Sequence, residues 1–516
     1  MNIAISKKYL IFPVNTDYAV KKLSFFSKDK EVFSINIKLD NFSPNFYAYT
    51  DVSRFIGQTL SISVTPEMEI SCIQSDEMNI DNLYSENLRP QIHFTTKNGW
   101  INDPNGLIYI DGTYHMFYQH NPGGPIWDNM HWGHAESRDL IHWEEKDIAL
   151  FPDETGMMFS GSAVIDKNNV LGMQNGNTPT SLLFYTATNP FSQHMAYSTD
   201  NFKTIHKYQQ NPVLPNITDQ NRDPKVVFCD ELGCYIMALY IEKDTYALFK
   251  SDNLTDWKLL QHITLPGDGE CPDIFCIKDQ YGDRKWVLMG AKDKYIVGRF
   301  TDVKFEPLQP VQSLHYESSG YAGQSFYNLP GGRIVRIVWD MWADLRTPPF
   351  AGQMSIPVEL SLEKDNDRYY ISGYPVKELT SIYDSSLCYS DIGLKANKIR
   401  TFSLEDKPAM IRIKGSFDKK SKLDFRVFGI SFICDMKENI FKINDKTAPV
   451  SCSEKLFDLT IIIDRCSTEV FIDGGKVFLT NVSICDRNIN YFEIISDTDY
   501  NIEAMEIHSL KSIWSR

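Results

Sequence analysis

Apolar positions along this chain come in short runs. Between residue 1 and about residue 88, β-branched and aromatic stretches such as Val32 to Leu39 and Thr59 to Val64 alternate with Asp, Asn, Ser and Pro, the punctuation of strands and turns. This pattern predicts a small all-β unit over 1–88, closed by the polar stretch Gln74 to Pro90. After Pro375 the pattern changes: Lys377 to Ser386 predicts a short helical linker. Strand signals then return at Ile411 to Ile413, Leu423 to Ile430, Leu459 to Ile463 and Glu469 to Ile472, and Asp473-Gly-Gly475 marks a hairpin turn. Residues 387–516 are therefore expected to form a second β-domain, most simply a sandwich.

The long middle section, 89–376, carries an internal repeat. Ser137-Arg-Asp-Leu-Ile-His-Trp143 recurs as Ser198-Thr-Asp-Asn-Phe-Lys203, as Ser251-Asp-Asn-Leu-Thr-Asp-Trp257 and more loosely as Thr301-Asp-Val-Lys-Phe305. With Leu140, Phe202, Leu254 and Phe305 as register points, the steps are 62, 52 and 51 residues. A period of about 50 with short strands and one turn signal per unit predicts four-stranded propeller blades. Polar residues at matching points of successive blades would then meet at one end of the central axis.

Composition narrows the class of partner. The chain has 516 residues and a formal charge of −15, so phosphate backbones and anionic lipid would repel it, which argues against nucleic acid and membrane partners. The 31 Phe, 26 Tyr and 9 Trp favour strands and also offer flat apolar surfaces on which sugar rings stack. The N-terminal apolar run is too short for a signal peptide, and no later run approaches the ~18 residues of a membrane span, so the expected location is the cytoplasm. Ten cysteines without metal-like spacing are then expected as reduced thiols, and the sequons at Asn41, Asn216, Asn253 and Asn481 as chance matches.

Three acidic segments carry the chemistry. Trp100-Ile-Asn-Asp-Pro-Asn-Gly106 presents Asp103 before a proline that favours extended backbone; the same residues also compose an ordinary turn. Arg222-Asp-Pro224 repeats the Asp-Pro arrangement, with Arg222 placed to hold a neighbouring carboxylate ionised, or simply to form a surface ion pair. In Glu270-Cys-Pro272 a Glu beside small and apolar groups is expected to have its pKa raised by desolvation, as suits a proton donor. Asp103, Asp223 and Glu270 are 120 and 47 residues apart, roughly two blades and one blade, so all three could face one depression. Glycoside cleavage needs such a set: a proton donor and a nucleophile or base on the other side of the sugar.

The chain also carries Phe117-Tyr-Gln-His-Asn-Pro122, Trp127, His131-Trp-Gly-His134, Phe159-Ser-Gly-Ser162, Tyr321-Ala-Gly-Gln-Ser-Phe326, Gln353-Met-Ser-Ile-Pro357 and Asp464-Arg-Cys-Ser-Thr-Glu-Val-Phe471. With the acidic segments, these make residues 90 to 516 resemble glycoside hydrolase family 32, the invertase, inulinase and levanase group. The resemblance implies an all-β fold, a five-bladed β-propeller followed by a C-terminal β-sandwich, with the fifth blade after about residue 310. It implies release of terminal β-fructofuranosyl units from sucrose, fructo-oligosaccharides or fructans by a retaining mechanism, with no metal or organic cofactor. Carried over, Asp103 is the nucleophile, Glu270 the acid/base, Asp223 the transition-state stabiliser and Arg222 its positioner. Asn102, Gln119, Trp127, Phe159, Ser160 and Trp339 would surround the fructosyl unit, although Phe159 and Trp339 would also suit a core. Where many members have Asp-Phe-Tyr-Ala, this chain has Ser319-Gly-Tyr-Ala322, which leaves leaving-group preference open. Segment 1–88 resembles the additional β-domain of some bacterial members and could pack on the propeller or bind polymer. Endo-acting cleavage, an inverting propeller glycosidase and a non-catalytic sugar-binding protein are the competing readings.

Overall fold

The computed structural model describes residues 1–301, 304–314, 319–341, 349–416, 420–450 and 456–514. Apart from short 3₁₀ turns, its regular structure is all β. The N-terminal unit is two small sheets, one ordered Asn2–Ala4, Thr59–Thr65, Lys21–Ser27, Lys30–Ile37 and one ordered Phe46–Asp51, Tyr9–Val14, Ile73–Ser75. Leu10, Phe12, Leu23, Phe25, Leu60 and Ile62 are buried in a core shared by both. Alternation explains the arrangement: in Thr59–Thr65 every second residue is buried, the signature of a strand with one wet face.

Five antiparallel sheets follow in chain order among the described residues, each led by one inner strand: Gly99–Ile110, Met158–Ile165, Arg222–Cys229, Asp273–Lys278 and Gly320–Ser325. These inner strands pack against one another in sequence order, and the fifth packs against the first. Phe350–Ala351 also adds in parallel to Gly99-Trp100, so chain that follows the second strand of the fifth sheet is stitched to the first sheet. The inner strands are nearly all buried, and their polar side chains are spent on one another. The Asn105 carboxamide accepts from Gly161 N at 3.2 Å, Ser162 Oγ donates to Pro224 O and accepts from Val226 N, and Gln324 Nε2 donates to Gly161 O. At the centre Lys225 Nζ lies 2.9 Å from Asp273 and 2.7 Å from Ser325 O, while Asp273 accepts from Ser325 N and Oγ.

The sequence repeat is a specific piece of backbone. Ser137, Ser198 and Ser251 each end the third strand of a sheet, and each hydroxyl bonds the side chain two residues on, Asp139, Asp200 or Asn253. Leu140, Phe202 and Leu254 then take left-handed backbone, with φ of 69°, 61° and 69°. In two copies the Trp three residues later donates its indole N–H to that Leu carbonyl. The fourth copy departs: Thr301 N bonds Lys304 O, Phe305 opens a strand rather than sitting at the turn, and 302 and 303 lie outside the described residues.

A 3₁₀ helix occupies Lys377–Ile382, and the next strand begins at Tyr383, inside the segment read from sequence as linker. Two six-stranded sheets follow and share one core, with Phe425, Phe432 and Phe492 from one and Ile411, Ile461 and Val470 from the other. The apolar run Leu423 to Ile430 is not one strand. Phe428 and Gly429, at φ 46° and 82°, make a two-residue hairpin turn between Lys422–Val427 and Ile430–Asp435, because positive φ at both centre positions matches the strand twist. The nine cysteines among the described residues are free thiols.

This last unit is fixed to the five-sheet unit through a buried charge cluster. His93 Nδ1 lies 2.9 Å from Asp464 and its Nε2 3.3 Å from Glu469, with all three buried. Asp464 also accepts from the backbone N–H groups of Gln91 and Ile92. Burial opposes charge on His93, but the two carboxylates outweigh it and raise its pKa to about 10. His93→Ala is expected to cost about 3 to 5 kcal/mol at neutral pH, because it strands two buried carboxylates. A histidine whose folded pKa is raised contributes fully below its ordinary 6.5 and loses that contribution as pH rises through about 10. Denaturant melts of both proteins should therefore differ at pH 7 and converge toward pH 10; equal stability at pH 7 would contradict the assignment.

Candidate active site

Each of the five inner strands is irregular at the same end, and that end gathers the functional groups. Register slips fall at Ile101/Pro104, Phe159/Gly161, Arg222/Lys225 and Tyr321/Gln324. The remaining inner strand is preceded by Glu270 and Cys271 at φ 59° and 34°. Bulges turn side chains that would lie within the sheet toward the axis. Asp223, at φ 64°, is held in its unusual backbone state by Thr186 Oγ1, which accepts from Asp223 N at 3.0 Å. Gly161 is obligatory: a Cβ there would lie 1.8 Å from Phe184 O.

Cys271 joins two of the carboxyl groups and directly follows the third in the chain. Its Sγ lies 3.4 Å from both Asp103 Oδ2 and Asp223 Oδ2, and its backbone N–H donates to Asp223 Oδ2 at 3.0 Å. Ser160 Oγ donates to Asp103 Oδ2 at 2.7 Å. Glu270 receives hydrogen bonds from Arg222 Nη2 and from the Tyr321 hydroxyl, and its backbone carbonyl accepts from Tyr246. The Arg222 guanidinium lies over the Tyr240 ring, 4.7 Å from its centroid, with its Nε 3.8 Å from Asp223.

The proton affinities divide. Burial raises the pKa of Asp103 against the bonds from Ser160, Asn102 and Cys271. Burial lifts Asp223 to about 7, with Asp103 adding to it and the Arg222 charge opposing. Glu270 goes the other way: burial pushes it up, but the Tyr321 and Arg222 hydrogen bonds and the Arg222 charge hold it below the ordinary glutamate value. One sequence expectation is thus corrected: desolvation does not raise the Glu270 pKa, because two donors at its oxygens outweigh it. Arg222 does favour the charged form of a neighbouring carboxylate, and the one it bonds is Glu270; at Asp223 its charge lowers the pKa without overcoming burial.

The other residues singled out in the sequence lie on strands of these sheets or pack on their neighbours. Asn102 accepts from Trp100 Nε1 at 2.8 Å, which orients its amide beside Asp103. Gln119 is buried and donates to Met158 O at 3.0 Å, joining the first sheet to the second sheet's inner strand. Trp127 is half exposed and meets the half-buried Phe159 edge to face at 5.9 Å. Trp339 packs edgewise on Trp100 and Tyr321, and its indole N–H has no partner among the described residues. Phe159 and Trp339 are both half-buried, and neither lies in a closed hydrophobic core. Sequence reasoning assigned no role to Tyr321, Cys271 or Thr186, although the first two stood inside quoted motifs. Two clusters of His and acidic residues have metal-like spacing, His115/His134/Glu136 and His93/Asp340/Glu469; neither includes Asp103, Asp223 or Glu270.

Carboxyl groups of unequal proton affinity around one pocket are the working parts of a glycoside hydrolase. The chain belongs to glycosyl hydrolases family 32, whose N-terminal domain matches residues 93–373 and whose C-terminal region matches 419–509. It is 30% identical to a levanase of Bacillus subtilis, over 84% of this chain and 72% of that protein. It is 30% identical to the extracellular exo-inulinase of Aspergillus niger, over 84% of this chain and 96% of that one. The crystal structure of an exo-inulinase from Aspergillus awamori superposes with a TM-score of 0.74 at 26% identity, covering 85% of this chain and 100% of that one. The two N-terminal sheets precede both family matches.

Tyr321→Phe removes a hydrogen bond that favours the Glu270 carboxylate, so the Glu270 pKa should rise. A carboxyl-carbon NMR titration of the free protein should then show Glu270 titrating at higher pH in the variant than in the wild type; a shift downward, or none, would contradict this reading of the contact.

Proposed function

We propose that this protein is a retaining β-fructofuranosidase that removes terminal fructose from sucrose, fructo-oligosaccharides or fructans. One observation supports the reading: Asp103 and Asp223 both meet Cys271, which directly follows Glu270, so three carboxyl groups from separate sheets lie together. The relatives' names, levanase and exo-inulinase, supply the substrate class. The scaffold is a five-bladed propeller, supported by five successive sheets whose inner strands run round to the first. The C-terminal sheets form a sandwich, and 1–88 is a separate β-domain docked on the propeller.

In the proposed mechanism an Asp103 oxygen attacks the anomeric carbon while Glu270 gives its proton to the departing glycosidic oxygen, leaving fructose esterified to Asp103. Water then attacks the same carbon, Glu270 takes its proton, and the ester breaks to release fructose and restore Asp103. In the empty pocket Asp223 holds a proton more tightly than Glu270. Substrate reverses that order: sugar hydroxyls donating to Asp223 favour its carboxylate, and the sugar excludes water from around Glu270. The proton moves from one to the other with no net change. Asp223 then stabilises positive charge developing on the fructosyl ring, with Ser160 and Asn102 holding the Asp103 carboxylate in line.

Asp103→Asn and Glu270→Gln should each lower kcat on the order of 10³-fold or more while the protein remains folded; near wild-type turnover in either would overturn the roles. Asp223→Asn should lower kcat more than it raises KM, since its contribution is made in the transition state. Incubation with sucrose, 1-kestose, inulin and levan, with products resolved over time, should give free fructose as the sole early product from the oligomers. Oligosaccharides released from the polymers would instead establish endo cutting, and no product from any of the four would sink the reading.

A further inference from the structure

The loop that presents Trp127 to the pocket is held from outside the catalytic domain. Asn36 lies on Lys30–Ile37, the edge strand of the first N-terminal sheet. Its backbone N–H donates to Asn129 Oδ1 at 2.8 Å, and its carbonyl accepts from Asn129 Nδ2 at 2.8 Å. The Asn129 carboxamide thus pairs with the strand edge as another strand's peptide would. The Asn36 side chain also donates to Asp128 Oδ1 at 3.2 Å, and that oxygen accepts from Asn129 N. On the other side of Trp127, Asn121 Nδ2 donates to Ile126 O, and Asn121 Oδ1 accepts from both Gly123 N and Asn129 Nδ2. Both neighbours of Trp127 are therefore fixed, one through Asn121 and one through the N-terminal sheet. Asn129 itself is buried and left-handed, at φ 47°.

The docking is broad enough to act as a rigid reference. Ile35 Cδ1 lies 3.0 Å from where a Cβ on Gly123 would stand. Asn98 Nδ2 donates to Tyr47 O at 3.0 Å, and the Arg54 guanidinium stacks over Phe151 at 4.5 Å. These contacts lie on both N-terminal sheets and on the turn between them. Trp127 itself remains half exposed, resting on Phe159, one residue from the Ser160 that bonds Asp103. Among the described residues its one aromatic contact is that edge-to-face packing, so its position depends on its loop.

We propose that the N-terminal β-unit is a positioning element of the substrate site: through the edge of Lys30–Ile37 at Asn36 it clasps Asn129 and Asp128, and so holds Trp127 where it walls the bound sugar. The inference rests on the fructosidase reading above. Substrate affinity then depends on a residue pair that touches no substrate, with Asn36 and Asn129 acting through Trp127.

The test is a double-mutant cycle on the full chain with sucrose and 1-kestose. Asn129→Ala should raise KM about tenfold with a smaller fall in kcat, as loss of one aromatic sugar contact does. Trp127→Ala should raise KM by a similar factor, and the double variant should be no worse than the poorer single one. Asn36→Pro deletes the clasping N–H at a sheet edge where proline is tolerated and leaves the loop sequence intact; it should reproduce the KM effect with the melting temperature retained. Multiplying KM effects in the double variant, about 100-fold together, or unchanged KM in folded Asn129→Ala and Asn36→Pro, would overturn the proposal. A wild-type protein that cleaves no fructoside fails the underlying reading instead, so the two failures are told apart.

Discussion

The buried ion pair between Lys225 and Asp273 is the constraint on which the pocket depends. Lys225 stands two residues after Asp223, and Asp273 three residues after Glu270, so the pair pins the third and fourth inner strands just below two of the carboxyls. Ser325 brings in the fifth strand through three further hydrogen bonds. Apolar side chains of similar volume could hold the strands together as strongly, because burying two charges costs several kcal/mol each before their attraction offsets it. What the charges add is direction. An amine held by a carboxylate and a carbonyl, with that carboxylate in turn accepting from a hydroxyl and an N–H, has one satisfactory arrangement, and the strands cannot slide along the axis without stranding a charge.

Above that fixed layer the backbone departs from regular structure where the chemistry begins. The left-handed residues Asp223, Glu270 and Cys271 would each cost about 1 to 3 kcal/mol in isolation, and four inner strands carry bulges beside them. The sheets around them supply the compensation, with fully buried aromatics such as Phe117, Trp132, Phe184, Tyr185 and Tyr235 filling the spaces between them. The pocket is thus a strained rim on a tightly packed ring. Its electrostatics follow from the same geometry: Arg222 and Tyr321 both hydrogen-bond Glu270, whereas at Asp223 burial outweighs the Arg222 charge 3.8 Å away and holds the pKa up near 7.

Much of this was legible because some residues do the same job more than once. The Ser-x-Asp/Asn turn recurs in three sheets because each needs a tight link between its third and fourth strands, and a serine hydroxyl bonded to the side chain two residues on provides it. The acidic segments were visible through Asp-Pro and Glu-Cys-Pro, in which proline restricts the backbone near a carboxylate. What escaped notice depends on which strand lies beside which. Nothing local to Glu270 indicates that Arg222, 48 residues away, and Tyr321, 51 residues away, both donate to it. The run Leu423 to Ile430 concealed a hairpin because Phe428, an apolar residue, occupies a left-handed turn position usually taken by Asn or Gly. Gln119 looked like a sugar ligand and is also a brace between two sheets.

The contact between Asn129 and the edge of Lys30–Ile37 has a second consequence, for solubility. An edge strand with free N–H and carbonyl groups is a template for another chain, and proteins guard such edges with charge, proline or a covering segment. Here the cover is a single carboxamide from a neighbouring domain. Separation of the two domains, through truncation, partial unfolding or slow docking during synthesis, would uncover Asn36 and with it a strand whose next partner could come from a second molecule. Domain docking in this protein therefore also guards against self-association.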